Sequence, residues 1–165
     1  MEDLNLNHLL DSLKPYNLGP MERILIGHSG TVQLLLSLFF NKPVLVKVVR
    51  QQQVGDEIER EVNLVIQDTE LIVGKALSFI PISENSSAVI DLVNGKNYGL
   101  GQIASYLKVS TIRALKNVGV TDETIERTYT MTGTSFVHVS PVNLKFRITE
   151  SFPRELYKTW VRAIP

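Results

Sequence analysis

Two charged residues, Arg60 and Glu150, fall on the apolar faces of two predicted strands and are the best candidates for chemistry in this chain. Side chains alternate between the two faces of a strand, so residues two apart share a face. Arg60 shares its face with Ile58, Val62, Leu64 and Ile66. Glu150 shares its face with Val142, Leu144, Phe146, Ile148 and Phe152. A charge on a buried face is costly unless it is paired, so each of the two needs a partner.

The pattern leaves two interpretations of these charges open. In the first, Arg60 and Glu150 form an internal salt bridge between neighbouring strands, which is a purely structural role. In the second, both line a cavity that binds a small molecule. Arg60 would then hold a carboxylate through paired hydrogen bonds, and Glu150 would accept a hydrogen bond from a hydroxyl group.

Two glycine-containing segments, Ser29-Gly30-Thr31 and Gly99-Leu100-Gly101, lie at predicted helix starts. Free backbone N–H groups and the helix dipole favour an anion at such a start, and glycine permits close approach of the backbone. Most glycines of this kind only form turns. Combined with a buried Arg60, however, the two segments would complete a pocket for a carboxylate.

Other kinds of site find little support in the sequence. The chain has no cysteine, which excludes disulfides, thiolate metal sites and a cysteine nucleophile. His8, His28 and His138 lack the spacing of metal ligands, and no phosphate-binding loop or dinucleotide fingerprint is present. The sequence therefore predicts neither a metal nor a cofactor.

The predicted elements form one α+β domain over residues 1–165, with a mainly antiparallel sheet of about six strands covered by helices. The first three strands form an antiparallel meander, and residues 109–118 fit either a helix or a strand. Residues 133–134 are predicted as a turn. The predicted strands are 44–54, 58–66, 71–82, 124–132 and 142–152, and the predicted helices are 29–40, 84–93 and 101–107.

Composition narrows the possible partners. The chain has 165 residues, 44% of them hydrophobic, and carries 17 basic and 17 acidic residues. This balance gives no electrostatic footprint for nucleic acid or an anionic membrane surface. The longest apolar run, 34–40, is too short to cross a bilayer, and the first residues lack a basic signal segment. We therefore expect a cytoplasmic protein, a monomer or weak dimer, that binds a small molecule.

Four short segments, taken in order, resemble the chorismate lyase-like family. The family includes bacterial chorismate pyruvate-lyases and the effector-sensing domains of GntR-type repressors. The resemblance covers residues 25–157, most of the chain. The four segments are Ser29-Gly30-Thr31, Arg60-Glu61-Val62-Asn63-Leu64, Ala76-Leu77-Ser78-Phe79-Ile80-Pro81 and Ile148-Thr149-Glu150-Ser151-Phe152-Pro153.

The resemblance implies an enzyme that removes pyruvate from chorismate to leave 4-hydroxybenzoate, without a metal or an organic cofactor. It also implies an antiparallel six-stranded sheet with helical flaps over an enclosed site. Arg60 matches the family's arginine for the ring carboxylate, and Glu150 matches the acid that faces the para-hydroxyl. Gly30 and Leu100 match positions that supply backbone contacts to the carboxylate.

One position departs from the lyase pattern. The lyases usually carry an arginine where this chain has Leu77, and Lys75, two residues earlier on the same face, is the candidate replacement. Lysine supplies a point charge without the planar fork of arginine. The second hypothesis is therefore a non-catalytic sensor of a small aromatic acid with the same fold. In repressors such domains follow a DNA-binding domain, for which the residues before Ser29 leave no room.

Overall fold

The computed structural model describes residues 5–158, and its centre is one six-stranded sheet in which all neighbouring strands are antiparallel. The order across the sheet is β1-β2-β3-β6-β5-β4, so the first three strands form the predicted meander. The α+β class is confirmed. The strands are β1 Val44–Val54, β2 Glu57–Ile66, β3 Ile72–Pro81, β4 Ser110–Val120, β5 Thr124–Ser135 and β6 Val142–Pro153.

Five α-helices accompany the sheet: α1 Leu6–Leu13, α2 Pro20–Gly27, α3 Val32–Phe40, α4 Ser87–Gly95 and α5 Leu100–Tyr106. Short 3-10 turns follow α1 and β6, at Lys14–Tyr16 and Arg154–Leu156. Helix α3 ends where Asn41 adopts a left-handed backbone conformation, which asparagine tolerates well. Within residues 5–158, no helix is both long enough and apolar enough to cross a membrane.

The helices cover one face of the sheet and bury two large apolar clusters and one small cluster against it. One large cluster packs α4 and α5 onto the sheet through residues such as Val89, Ile103 and Phe146. The other large cluster packs α2 and α3 onto it through residues such as Leu25 and Leu36. Arg60 and Glu150 lie on this same covered face, as the strand alternation predicts.

Three predicted boundaries differ from the structure. Of the ambiguous residues 109–118, all but Val109 belong to β4, an edge strand with a bulge between Leu115 and Asn117. Helix α3 is capped by Thr31 rather than Ser29. The predicted turn at 133–134 is wrong, because Gly133 continues β5. A side chain at Gly133 would place its Cβ 2.3 Å from the carbonyl oxygen of Ser110, so this glycine permits a close strand approach.

Candidate functional site

A cavity lies between the covered face of the sheet and the first residues of α3 and α5. The space between these elements totals about 590 Å³, including the part at its mouth that is open to solvent. The sheet contributes apolar side chains such as Val62 and Ile148, and the helix starts contribute Thr31 and Leu100. Three charged side chains, Arg60, Arg113 and Glu150, interrupt this apolar lining.

Arg60 is a buried cation without an acidic partner. Its side chain is 1% exposed, and Nη2 donates to the carbonyl oxygen of Tyr98 at 2.5 Å. Nε and Nη1 have no hydrogen-bond partner among residues 5–158, and none of the ion pairs in that range includes Arg60. Burial lowers the pKa of Arg60, but a guanidinium stays protonated at neutral pH. Two donors and a positive charge therefore remain available to a ligand.

Glu150 has its own partners. Arg127 Nε donates to Oε2 at 2.7 Å, and the Tyr129 hydroxyl donates to Oε1 at 2.9 Å. Arg127 Nη2 also lies 2.7 Å from Oε2, so the two residues form an ion pair. The proposed salt bridge between Arg60 and Glu150 is therefore wrong, because the carboxylate pairs with Arg127.

Arg127 joins the sheet to the C-terminal end of α2 and to His28 just after it. Only 2% of Arg127 is exposed, and Nη1 donates to the carbonyl oxygens of Ile26 at 3.2 Å and His28 at 2.6 Å. Burial and the neighbouring carboxylate of Glu150 raise the pKa of Tyr129, so its hydroxyl stays protonated and acts as a donor. Both donors to Glu150 are thus fixed in place before a ligand arrives.

Arg113 approaches the cavity from β4, at the other end of the sheet from β2. Its Nη1 donates to the carbonyl oxygen of Gly30, and its guanidinium lies 5.6 Å from the centre of the Tyr129 ring. Nε is buried without a partner among the described residues. Arg113 is therefore a second cation of the cavity, held by a carbonyl group and an aromatic ring.

The starts of α3 and α5 meet over the cavity. A Cβ on Gly101 would lie 3.2 Å from Thr31 Oγ1, and one on Gly99 would lie 3.1 Å from Val46 Cγ2. Such separations are tighter than ordinary contacts, so the two glycines allow the helix starts to close over the sheet. Thr31 and Gly99-Leu100-Gly101 line the cavity, whereas Ser29 and Gly30 are not part of its lining.

The sequence-predicted site residues divide into three groups. Arg60, Leu100 and Glu150 line the cavity. Gly30 is exposed beside it and contributes its carbonyl oxygen to Arg113. Lys75 is exposed and does not join them.

The position of Lys75 requires a correction. The lining residues Ala76 and Ser78 alternate with Lys75 and Leu77 along β3, so the latter two lie on the opposite face of the sheet. The prediction that Lys75 replaces the missing arginine is therefore wrong. The second cation of the cavity is instead Arg113, which lies on β4.

Three residues of the site, Arg113, Arg127 and Tyr129, escaped the sequence analysis. The alternation of β5 contains a signal for two of them, because Ile125 and Met131 share a face with Arg127 and Tyr129. Applying to β5 the argument used for Arg60 would have identified Arg127 as a buried charge. Arg113 gave no such signal, because its segment fitted either a helix or a strand.

Comparison with protein-family models finds no match to the chain, and comparison with curated proteins finds no match either. Among residues 5–158, there is no group of three or more acidic, histidine or cysteine side chains that could hold a metal ion. Functional inference therefore depends on the chemistry of the cavity itself.

Proposed function

We propose that this protein is a lyase that removes pyruvate from chorismate to give 4-hydroxybenzoate. One observation carries the proposal: Arg60 is buried beside a cavity with Nε and Nη1 unpartnered among the described residues, and the prepared carboxylate of Glu150 lines the same cavity. This arrangement suits a ring with a carboxylate at one position and a hydroxyl group at another. The resemblance of the segments around Arg60 and Glu150 to the lyases supports the same assignment.

Arg60 would bind the ring carboxylate. Its two unpartnered nitrogens supply charge-assisted hydrogen bonds, which are about twice as strong as neutral ones. Glu150 would accept a hydrogen bond from the ring hydroxyl, because each carboxylate oxygen keeps an acceptor position beyond its contact with Arg127 or Tyr129. The substrate would thus be held at two points within the cavity.

Beyond binding the substrate at these two points, the reaction requires little from the protein. The carbon–oxygen bond to the enolpyruvyl group breaks, the ring loses a hydrogen as a proton, and the released three-carbon unit takes up a proton to become pyruvate. Because the product ring is aromatic, the reaction has a large driving force. Orienting the substrate in a mostly apolar cavity is then the main contribution of the protein.

A pyruvate-release assay tests the proposal. Purified protein mixed with chorismate should release pyruvate and 4-hydroxybenzoate in equal amounts, measured by coupled NADH oxidation and by chromatography, without added metal. Arg60→Met should abolish the activity. Arg50→Gln is a control for loss of an arginine, because Arg50 lies on β1 outside the cavity lining and is exposed. No pyruvate above background at saturating chorismate would rule out the lyase.

A non-catalytic sensor of a small aromatic acid is the second candidate. The observation favouring it is that Glu150 is already held by Arg127 and Tyr129, so the site is prepared for binding. Tight binding of 4-hydroxybenzoate by calorimetry, together with no turnover of chorismate, would select this function over the lyase.

A further inference from the structure

We propose that Arg113 makes this cavity selective for ligands with two anionic groups, one held by Arg60 and the other by Arg113. The inference builds on the cavity of the proposed function and concerns which molecules that cavity accepts. It assigns the second anion to a β4 residue that the sequence patterns did not identify.

The charge of the site is the first argument. Arg60, Arg113 and Glu150 line the cavity, and Arg127 lies behind Glu150 as its ion-pair partner. With Glu150 balanced by Arg127, two positive charges remain. None of the ion pairs among residues 5–158 includes Arg60 or Arg113. A ligand with one negative charge would leave one of these cations unbalanced, whereas a dianion would balance both.

The separation of the two cations is the second argument. Arg60 lies on β2 and Arg113 on β4, four strands apart in the sheet order. At about 4.8 Å per strand, their backbones are roughly 19 Å apart along the sheet. The two side chains therefore reach the same cavity from well-separated strands. They are placed for two anionic groups at different ends of one molecule.

The hydrogen-bond and ring contacts of Arg113 are the third argument. Its contacts are the Gly30 carbonyl oxygen and the face of the Tyr129 ring, and neither neutralises its charge. Nε is buried without a partner among the described residues. An arginine has five N–H donors in a rigid fork, so one contact to a carbonyl group leaves donors for a carboxylate. Arg113 is therefore anchored and still able to bind an anion.

Two unreactive ligands that differ in one group test this selectivity. 3-Methoxybenzoate carries one carboxylate, and 3-(carboxymethoxy)benzoate carries a second carboxylate through an ether link at the same ring position. Calorimetry with the full chain should show that the dianion binds at least about tenfold more tightly, as expected for one additional charge-assisted contact. Equal affinity for the two ligands, or a preference for the monoanion, would overturn the inference.

Variants assign the selectivity to a residue. Arg113→Gln should weaken binding of the dianion by about 10- to 100-fold and binding of the monoanion by less than about threefold. Arg50→Gln is the matched control and should change neither affinity. If Arg113→Gln does not fold, Arg113→Lys replaces it, because lysine keeps the charge without the planar fork. The lysine variant should also lose more affinity for the dianion than for the monoanion. If either variant loses equal affinity for the two ligands, the role of Arg113 is refuted.

The two proposals fail separately. Chorismate turnover without preference for the dianion would leave the lyase standing and refute the selectivity. A preference for the dianion that depends on Arg113, without chorismate turnover, would establish the selectivity and contradict the lyase.

Discussion

At the scale of single residues, Arg127 and Glu150 form a buried ion pair whose partners are each less than 5% exposed. Removing one partner of such a pair leaves the other charge uncompensated in a medium that solvates it poorly. The carbonyl oxygens of Ile26 and His28 also lose a donor when Arg127 is removed. The pair thus supports the cavity wall in addition to positioning Glu150.

Arg127→Met should therefore reduce the free energy of unfolding by about 3–5 kcal/mol, measured by urea denaturation at neutral pH. Arg50→Met is the control, because Arg50 Nε lies 3.6 Å from Glu61 on the exposed surface. Exposed pairs contribute about 0–1 kcal/mol, so this variant should stay close to the wild type. Similar losses for the two variants would show that the buried pair has no special role.

His28 should make stability depend on pH. Burial lowers the pKa of His28 below its ordinary value of 6.5. A backbone hydrogen bond with Thr31 opposes this effect, Arg127 and Arg113 lower the pKa further, and Glu150 raises it slightly, so the pKa remains lowered. The unfolded chain therefore binds a proton at His28 at a higher pH than the folded protein does. This contribution to stability is complete above pH 6.5 and is lost as the pH falls through the folded pKa.

The measurement is the free energy of unfolding at several pH values from about 7.5 down to 5, compared between the wild type and His28→Gln. The wild type should lose more stability than the variant over the range below pH 6.5. Identical slopes for the two proteins would contradict the prediction. The backbone carbonyl that accepts from Arg127 is unchanged in this variant, so the comparison isolates the imidazole.

At the scale of elements, the close pairing of β4 with β5 depends on Gly133. The Cβ of an alanine there would lie 2.3 Å from the carbonyl oxygen of Ser110 and 2.7 Å from Val109 Cγ1. The first of these atoms belongs to the backbone and cannot rotate away. Gly133 pairs with Thr111 on β4, and Arg113, two residues later on the same strand, pairs with Met131. A displaced β4 would therefore also displace Arg113, the second cation of the cavity.

Gly133→Ala should destabilise the fold by about 1–3 kcal/mol, as overpacking does elsewhere, and should also weaken binding of 3-(carboxymethoxy)benzoate. Gly27→Ala is the control, because a Cβ at Gly27 meets nothing within 4 Å. Urea denaturation and calorimetry measure the two effects. If the Gly133→Ala variant is as stable as the wild type, β4 tolerates a wider separation from β5.

The elements also show which parts of the site could be predicted from sequence. Strands β2 and β6 each bury one face and expose or half-bury the other, so their alternation is clear and Arg60 and Glu150 stand out. Strand β4 lies at the edge of the sheet, carries a bulge and has mostly half-buried residues, so its pattern has no clear period. For that reason the sequence could not assign Arg113 to a face of the sheet. Gly133 was interpreted as a turn because a close approach of two strands leaves no signal in the local sequence.

The ion-pair partner of each buried charged residue was harder to predict from sequence than its burial. Alternation indicates that a charge faces the core, but the partner of that charge depends on strand order, which sequence periodicity does not give. Strand β5 lies between β6 and β4, so Arg127 is directly opposite Glu150 in the register, while Arg60 is paired with Ser78 on β3. The order of the strands thus decided which arginine neutralises the acid and which remains for a ligand.

At the scale of the whole molecule, the two large apolar clusters stabilise the fold and the cavity between the sheet and the helix starts carries an unbalanced charge. A buried cation without an acidic partner reduces the stability of the ligand-free protein. A bound anion removes that cost. We therefore expect ligand binding and folding to be coupled through Arg60.

Arg60→Met tests this coupling. Replacing a buried charge by an apolar side chain of similar length should leave the stability of the ligand-free protein unchanged or raise it by up to about 4 kcal/mol. Adding 3-(carboxymethoxy)benzoate at 100 times its dissociation constant should stabilise the wild type by about 2.7 kcal/mol, because the ligand binds only the folded state. The same ligand concentration should leave Arg60→Met unchanged. Thermal and urea denaturation with and without ligand measure all four states. If Arg60→Met instead destabilises the ligand-free protein by several kcal/mol, Arg60 is a structural residue whose contact with the Tyr98 carbonyl stabilises the fold.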